Sequence, residues 1–451
     1  MKIRSFPTTQ LMMLFVVIAS AYVAWAQNDE LPRHGVIGLQ IAPPDLAKPE
    51  DPKTNPPTVK AVTRGGAAET EGIQVGDVLL ALNGAPVTTS IGFAQEVSRH
   101  IAGETLKILL SRGGQQITKT LTLKPRPYET SPDATIQYAS VTADGARRRV
   151  IVTRPRATGP HPAVLLIGGL GCYSLDGEIT RSTGYGPILA ALAKANYVTI
   201  RVEKSGEGDS EGPLCTDPKS TTDRETAGYV AGLRLLKSYD FVDPSRVFIF
   251  AHSLGPLLGS KVVTHEPVRG FIAAETIGRS WFEYGLENVR RQSALAGELP
   301  DQVDADVRAH NECAYHFYVR HETPEQVEKI GPQCVEMIRS NAGMPYTYMQ
   351  EIGDLSLGKQ WKQVDIPVLV IYGNSDPATS ADEGRYLVQL INRYHPDRAS
   401  FVELEGMGHD FALYASQSEF LNRRTETAPH PYDNEIIVTV LNWLDRHGQG
   451  T

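Results

Sequence analysis

Short apolar runs alternate with helical segments from residue 135 to residue 449, and this alternation limits the folds open to the chain. The runs are rich in Val, Ile, Leu and Phe, as strands buried on both faces of a parallel sheet are. We expect a mostly parallel, doubly wound α/β sheet whose active loops lie at the carboxyl ends of the strands. The predicted strands read TIQYASVT, RRVIVTRP, AVLLIGG, YVTIRVEK, RVFIF, VRGFIAAE, VLVIYG and SFVELEG, and helices are predicted near 185–195, 224–239, 381–394 and 434–447.

A second, smaller and β-rich domain is predicted at residues 31–126, since a chain of 451 residues is long for one domain. Glycines punctuate its strands, which read GVIGLQIA, TVKAVTRG, DVLLALNG, TLKILLSRGG and QQITKTLTLKP. The stretch KPRPYETSPDA has the proline-rich, polar composition of a linker. We place the linker at 127–134 and the larger domain at 135–449.

The segment GGAAETEGIQVGDVLLALNGAPV, residues 65–87, resembles the PDZ family. The resemblance implies a groove between a strand edge and a helix, here near 90–101, to which an extended peptide adds as a strand. It also implies that a protein C-terminus binds at a carboxylate-binding loop formed by Gly35, Val36, Ile37, Gly38 and Leu39. The alternative is a groove filled by the chain itself or by the neighbouring domain.

The first residues have the pattern of a secretory signal. Lys2 and Arg4 precede an apolar core at 11–24, which ends in the A-x-A cleavage pattern Ala24-Trp25-Ala26. We expect a signal peptide at 1–26, a secreted or periplasmic protein and no integral membrane association after cleavage. The alternative is an uncleaved anchor. A net charge of -8, with no basic run, argues against a nucleic-acid partner.

The chain has four cysteines, which are expected to form disulfides in an oxidising compartment. Four cysteines permit three full pairings. We expect a disulfide between Cys172 and Cys215, which follow strands predicted to be neighbours, and another between Cys313 and Cys334 within an inserted helical segment. The cysteines lack the spacing of a zinc site, and no metal or cofactor is predicted.

The stretch RVFIFAHSLGPLLG places Ser253 between a buried strand and a helix start rich in small residues. A strand that turns directly into a helix needs a tight bend flanked by small side chains. The pattern matches the nucleophile elbow G-x-S-x-G, with Ala251 at the first glycine. The alternative is a serine that merely caps a helix.

Residues 135–449 resemble an α/β-hydrolase with a helical cap inserted at about 277–362. In that family an acid and a histidine follow the serine from the ends of later strands. Asp376 lies in the Y-G-x-x-D pattern after VLVIYG, and His409 lies in G-H-x-F after SFVELEG. The resemblance implies a catalytic triad of Ser253, Asp376 and His409, because a serine hydroxyl needs a base and the base needs an orienting carboxylate.

The resemblance also implies an oxyanion hole made by the N–H groups of Leu254 and Leu170, with Gly171 as an alternative donor. The stretch EKSGEGDSEG resembles the family's turn after the fourth strand and is read as architecture. Residues with a weaker case are His252 as a rival base, Asp354 and Asp365 as alternative acids, and His161 and Asp410 with local roles.

Such a site fits the hydrolysis of a carboxylic ester, and a small-molecule ester is the expected substrate. Cap aromatics suit an apolar or aromatic ester, although most of them are expected to pack within the cap. They are Trp281, Phe282, Tyr284, Tyr315, Phe317, Tyr318, Tyr346 and Tyr348. The alternatives are a serine peptidase or aminoacyl hydrolase, and an inactive hydrolase fold that serves as a peptide-binding scaffold.

Overall fold

A computed structural model of the chain describes residues 31–41, 57–339, 343–422 and 430–448. The predicted signal peptide at 1–26 lies outside these residues. In the described part of the chain, none of the helices combines the length and apolar character that crossing a membrane requires.

The N-terminal domain is built from short antiparallel strands and two helices within the described residues. Its core is a cluster of aliphatic side chains together with Phe93. Thr89 caps the second helix by accepting a hydrogen bond from the N–H of Gly92. The elements are β1 (Gly35–Val36), β2 (Leu39–Ile41), β3 (Val59–Val62), α1 (Ala67–Thr70), β4 (Val78–Leu82), β5 (Ala85–Pro86), α2 (Ser90–Ser98), β6 (Thr105–Arg112), β7 (Gln115–Thr122) and β8 (Lys124–Pro125).

The larger domain contains, in its described residues, an eight-stranded sheet in the order β16-β15-β14-β13-β11-β12-β10-β9. From β12 to β16 the neighbouring strands are parallel, whereas β10 pairs antiparallel with both β9 and β12. The strands are β9 (Ala134–Ala143), β10 (Ala146–Pro155), β11 (His161–Ile167), β12 (Val198–Val202), β13 (Val242–His252), β14 (Gly270–Ala274), β15 (Val368–Gly373) and β16 (Ala399–Leu404).

Helices cover both faces of this sheet, and each face has its own apolar cluster. Polar caps start several of them: Thr221 caps α4 and Ser380 caps α12. The helices are α3 (Gly186–Lys194), α4 (Thr222–Ser238), α5 (Gly255–His265), α12 (Ala381–Tyr394), α13 (Gln417–Asn422) and α14 (Asn434–Gly448). Central strands such as β14, buried at every residue, explain the continuous apolar runs of the sequence.

A helical cap lies between β14 and β15. Ser280 and Glu283 form a capping box that starts its first helix. The cap helices are α6 (Trp281–Leu295), α7 (Pro300–Ala314), α8 (Pro324–Val327), α9 (Gln333–Arg339), α10 (Tyr346–Asp354) and α11 (Leu357–Trp361), and a π-helical turn (Tyr315–Val319) follows α7. The cap helices therefore lie between residues 281 and 361.

All four cysteines lie in the described residues and form two disulfides. Cys172 pairs with Cys215, and Cys313 pairs with Cys334. The first disulfide joins the loops that follow the neighbouring strands β11 and β12, and the second joins α7 to α9 within the cap. Each bond connects segments that carry or surround the site described below.

Buried ion pairs fix the two domains against each other. The Arg33 guanidinium, just before β1, donates to Asp176 at 2.7 Å and to Asp209 at 2.6 Å. Glu129, in the predicted linker, forms a two-fold ion pair with Arg201 on β12, with both distances 2.6 Å. The segment between the domains is thus anchored in the larger one, although its composition is that of a linker.

We predict that Arg33→Ala lowers the free energy of unfolding by about 3 kcal/mol, because it leaves the buried Asp176 carboxylate without its cation and leaves Asp209 paired with Arg149 alone. Urea denaturation followed by tryptophan fluorescence measures this change. Arg99→Ala is the control, since Arg99 forms an exposed pair with Glu96 whose loss should cost less than about 1 kcal/mol. Equal effects of the two substitutions would contradict the structural importance of the junction.

Candidate active site

Ser253 sits at the sharp turn between β13 and α5. Its φ of 58° is left-handed, a conformation that costs a non-glycine residue about 1–3 kcal/mol. The turn is held because the Ser253 N–H donates to the carbonyl of Ala274 and the Thr276 hydroxyl donates to the carbonyl of Ser253. Glycine is needed beside it: a Cβ on Gly255 would lie 2.7 Å from the carbonyl oxygen of Ile167.

The three residues of the predicted triad are brought together at the carboxyl edge of the sheet. His409 Nε2 lies 3.0 Å from Ser253 Oγ, and His409 Nδ1 lies 2.8 Å from Asp376 Oδ2. Because β13, β15 and β16 are parallel, the loops that follow them meet at one edge. The geometry is that of a hydroxyl, a base and an orienting acid in series.

Asp376 is fully buried and held by several donors. The N–H of Ala378 donates to Oδ1 at 2.6 Å, and the Thr379 hydroxyl donates to Oδ2 at 2.7 Å. Burial alone raises the pKa of Asp376, but the adjacent His409 and hydrogen bonds with His409, Glu275 and Thr379 lower it below its ordinary value. Asp376 is therefore ionised beside His409.

Glu275 is a site residue that the sequence reading missed. It directly follows β14, has a left-handed φ of 50°, is fully buried and contacts the Asp376 carboxylate. Its Oε1 accepts a 2.7 Å hydrogen bond from the N–H of Gly373. Burial and the Asp376 charge raise the pKa of Glu275 well above its ordinary value. Its position after a strand neighbouring β15 was the available signal.

His252 is turned away from the reacting hydroxyl. Its Nε2 donates to the carbonyl of His409 at 3.0 Å, so its Nδ1 accepts from the Tyr185 hydroxyl at 2.9 Å. Burial, with a smaller contribution from His409, lowers the pKa of His252 to about 3. It is a neutral residue that supports the His409 loop, in agreement with a local role.

The loop after β11 lies beside Ser253 and is fixed by hydrogen bonds from Lys204. Lys204 donates to the carbonyls of Gly169 and Gly171, each at 3.0 Å, and forms a buried ion pair with Glu225. Lys204 was not singled out from the sequence. Within the described residues, the N–H groups of Leu170 and Leu254 have no hydrogen-bond acceptor, and both residues line the cavity that contains Ser253.

The residues with a weaker case lie in local contacts. Asp354 pairs with His321, and Asp365 pairs with Arg398, so neither carboxylate contacts the site. Asp410 accepts a hydrogen bond from the Tyr414 hydroxyl. His161 Nε2 lies 3.0 Å from the carbonyl oxygen of Ala157.

A cavity of about 930 Å³ opens above Ser253, between the sheet edge and the cap. Five of the cap aromatics line it: Trp281, Phe282, Tyr284, Phe317 and Tyr318. Tyr348 is fully buried and donates to Glu225, whereas the Tyr315 ring is 46% exposed. Tyr346 is partly buried against the core. The cap thus supplies a mainly apolar wall to the site.

The predicted peptide loop spans β1, the turn after it and the start of β2. Gly35 and Val36 pair with β8, and Gly38 has a left-handed φ of 79°. Within the described residues, the N–H groups of Ile37 and Gly38 have no hydrogen-bond acceptor. This loop therefore presents free donors, as a carboxylate-binding loop does.

The fold and the serine turn define an α/β-hydrolase preceded by a PDZ domain. The family described as alpha/beta hydrolase matches residues 164–424, which is more than half of the chain, and the PDZ domain family matches residues 35–123. The chain belongs to the alpha/beta hydrolase family. Both predicted resemblances and the predicted fold class are confirmed.

Individual relatives are distant. An esterase of Thermotoga maritima, EstD, is 22% identical over 295 residues, which cover 65% of this chain and 64% of the esterase. An esterase of Pyrococcus furiosus matches in structure with a TM-score of 0.43 and 13% identity, over 72% of this chain and 94% of its own. Est1E of Butyrivibrio proteoclasticus with ferulic acid bound has a TM-score of 0.43 and 15% identity, over 68% and 99%.

We predict that the His252→Gln variant loses less stability than wild type as the pH falls. The pKa of His252 is lower in the folded chain, so its stabilising contribution is complete above about pH 6.5 and is lost as the pH falls toward 3. The midpoint of thermal unfolding of the variant, relative to wild type, should therefore rise as the pH falls. Tyr185→Phe removes the partner hydroxyl but keeps the titrating imidazole, so this variant should still lose stability on acidification. A pH-independent difference for His252→Gln would contradict the assignment.

Proposed function

We propose that the chain is a serine hydrolase that cleaves carboxylic esters through an acyl-enzyme. The observation that carries the proposal is the continuous contact from Ser253 Oγ through His409 to the buried Asp376 carboxylate. An isolated serine hydroxyl is a poor nucleophile, and this arrangement supplies both the base and its orienting acid.

In the first half of the reaction Ser253 Oγ attacks the ester carbonyl while His409 Nε2 takes the hydroxyl proton. The N–H groups of Leu254 and Leu170 are proposed to bind the oxygen that becomes negative. The carbonyl re-forms as the C–O bond to the alcohol breaks, and His409 gives its proton to the departing alcohol. Asp376 stabilises the transient imidazolium.

In the second half a water molecule attacks the acyl-enzyme and gives its proton to His409. The bond to Ser253 Oγ then breaks, the serine recovers its proton from His409, and the carboxylic acid leaves. The similarity to the Thermotoga maritima esterase supports an ester as the substrate. The apolar cavity above Ser253 supports a substrate with an apolar part.

Secretion and a peptide partner are further parts of the proposal. The A-x-A pattern at 24–26 supports export, and the two disulfides are compatible with an oxidising compartment. The PDZ domain and its free donors at Ile37 and Gly38 support binding of a protein C-terminus at the loop 35–39.

We predict that Ser253→Ala lowers kcat/KM for p-nitrophenyl butanoate by roughly 10⁴-fold or more, since the nucleophile is lost. Release of p-nitrophenolate measures the rate. Mass spectrometry after treatment with a p-nitrophenyl alkylphosphonate should find the phosphonate on the peptide that contains residue 253.

The matched control is Ser245→Ala, at the opposite end of β13, which should keep the wild-type rate and the adduct. Equal rates for Ser253→Ala and wild type would show that the chain does not use this serine. Intact folding of Ser253→Ala, checked by circular dichroism, keeps the comparison valid.

A further inference from the structure

The cavity above Ser253 follows the length of α6. One face of this helix lines the cavity, with residues three or four positions apart: Trp281, Tyr284, Asn288 and Gln292, followed by Ala296 just after the helix. The helix has 15 residues and therefore rises about 22 Å. The cavity is thus longer than a short acyl group needs.

Polar side chains on this face of α6 bond to the loop after β15: Tyr284 and Asn288 donate to the carbonyl of Ala378, and Gln292 donates to the carbonyl of Pro377. None of the residues of α6 is fully buried, although Trp281 and Phe282 occupy its first turn. An amphipathic helix normally buries its apolar face against a core. Here the aromatic residues of the first turn line the same cavity as Ser253, so an apolar ligand in the cavity would add to their burial.

Polarity changes along the cavity. Near the serine, the lining residues Leu254, Leu257 and Ile277 are apolar. Two acidic residues line the cavity at the other end of α6: Glu298, which follows the helix, and Asp306 on α7, which accepts from the Ser293 hydroxyl. Among the described residues that line the cavity there is no Lys or Arg. A substrate with an anionic far end would meet two carboxyl groups and no cation.

We propose that the site selects esters whose acyl group is extended, largely apolar and free of negative charge. The inference rests on the proposed function. The acyl group is assigned to this cavity because it stays bonded to Ser253 in the acyl-enzyme, and the cavity also contains Leu170 and Leu254.

The test compares p-nitrophenyl butanoate, p-nitrophenyl dodecanoate and the mono-p-nitrophenyl ester of dodecanedioic acid, each kept below micelle-forming concentrations. We expect kcat/KM for the dodecanoyl ester to exceed that for the butanoyl ester by at least about tenfold, because two buried methylenes suffice for that factor. The ester with a terminal carboxylate should be at least about tenfold poorer than the dodecanoyl ester.

Matched variants locate the effect. Ala309 lines the cavity from α7, and Ala305 lies exposed one turn away. Ala309→Phe should lower the dodecanoyl-to-butanoyl ratio of kcat/KM about tenfold, and Ala305→Phe should leave it unchanged.

The double variant Glu298→Gln, Asp306→Asn should raise the activity on the carboxylate ester relative to the dodecanoyl ester. The control double variant Asp301→Asn, Asp304→Asn, whose residues lie on α7 with Asp306, should not.

The outcomes separate this inference from the proposed function. Turnover of all three esters at equal kcat/KM, lost in Ser253→Ala, would overturn the substrate class and keep the esterase. Equal ratios in Ala309→Phe and Ala305→Phe would also overturn it. Turnover that survives Ser253→Ala would instead remove the proposed function itself.

The carboxyl pair beside His409 carries a second, independent inference. Glu275, Asp376 and His409 each place a side-chain N or O atom within 4.8 Å of the others. Asp376 already accepts from Ala378, Thr379 and His409, and two ionised carboxylates in contact would repel each other. We infer that Glu275 is a positioning residue, whose carboxyl O–H donates a hydrogen bond to the Asp376 carboxylate and moderates the negative charge beside His409.

Other titratable groups face the pair. Tyr372 donates to the backbone carbonyl of Asp376, Tyr284 donates to the carbonyl of Ala378, and Arg291 donates to the carbonyl of Pro377. Burial raises the pKa of Tyr372 and of Tyr284, so both hydroxyls are neutral. The two tyrosines therefore add no negative charge beside His409, and that charge is set mainly by Glu275 and Asp376.

The test is the pH profile of kcat/KM for p-nitrophenyl butanoate. Glu275→Leu removes the donor, so Asp376 should stabilise the imidazolium more and the acidic limb should move to higher pH. Glu275→Gln keeps a donor and should leave the limb in place, with KM unchanged. A limb that moves to lower pH in Glu275→Gln would show a charged Glu275 and overturn the inference, even if Glu275→Leu fails to fold.

Discussion

The site depends on four adjacent parallel strands that end at the same edge of the sheet. Each of β13, β14, β15 and β16 is followed within a few residues by a polar side chain: Ser253, Glu275, Asp376 and His409. Residues far apart in the chain therefore meet without long loops to position them. The apolar strands beneath are buried, so the edge cannot shift without disturbing two packed layers.

That rigidity explains how unfavourable local features persist. Ser253 and Glu275 both have left-handed backbone, and the Asp376 carboxylate is fully buried. Each is stabilised by neighbours that are themselves fixed, since Ser253 bonds to the end of β14 and Glu275 bonds to β15. The packed sheet offsets the strain, and the strain places the serine hydroxyl where His409 reaches it.

Much of this arrangement was readable from the sequence, because it rests on local signals. Alternating apolar runs predicted the sheet, and the small residues around Ser253 predicted the turn. The triad of Ser253, Asp376 and His409 was implied by the resemblance to the α/β-hydrolase family, in which an acid and a histidine follow the serine from the ends of later strands. Glu275 was missed because it ends an apolar run and reads as part of the strand. Arg33 was missed because its partner Asp176 lies 143 positions away, and composition does not report contacts of that range.

The ion pairs of Arg33 make the two domains one mechanical body. The residue that holds Asp176 and Asp209 lies two positions before Gly35, where the peptide loop begins, and Asp176 belongs to the same connection as Leu170. A displacement of the N-terminal loop would therefore be transmitted through the Arg33 ion pairs to the loop that carries Leu170, beside Ser253. Separating the two domains would leave Arg33 on one surface and Asp176 and Asp209 on the other. These charged side chains, which are buried in the whole protein, would then be exposed to water.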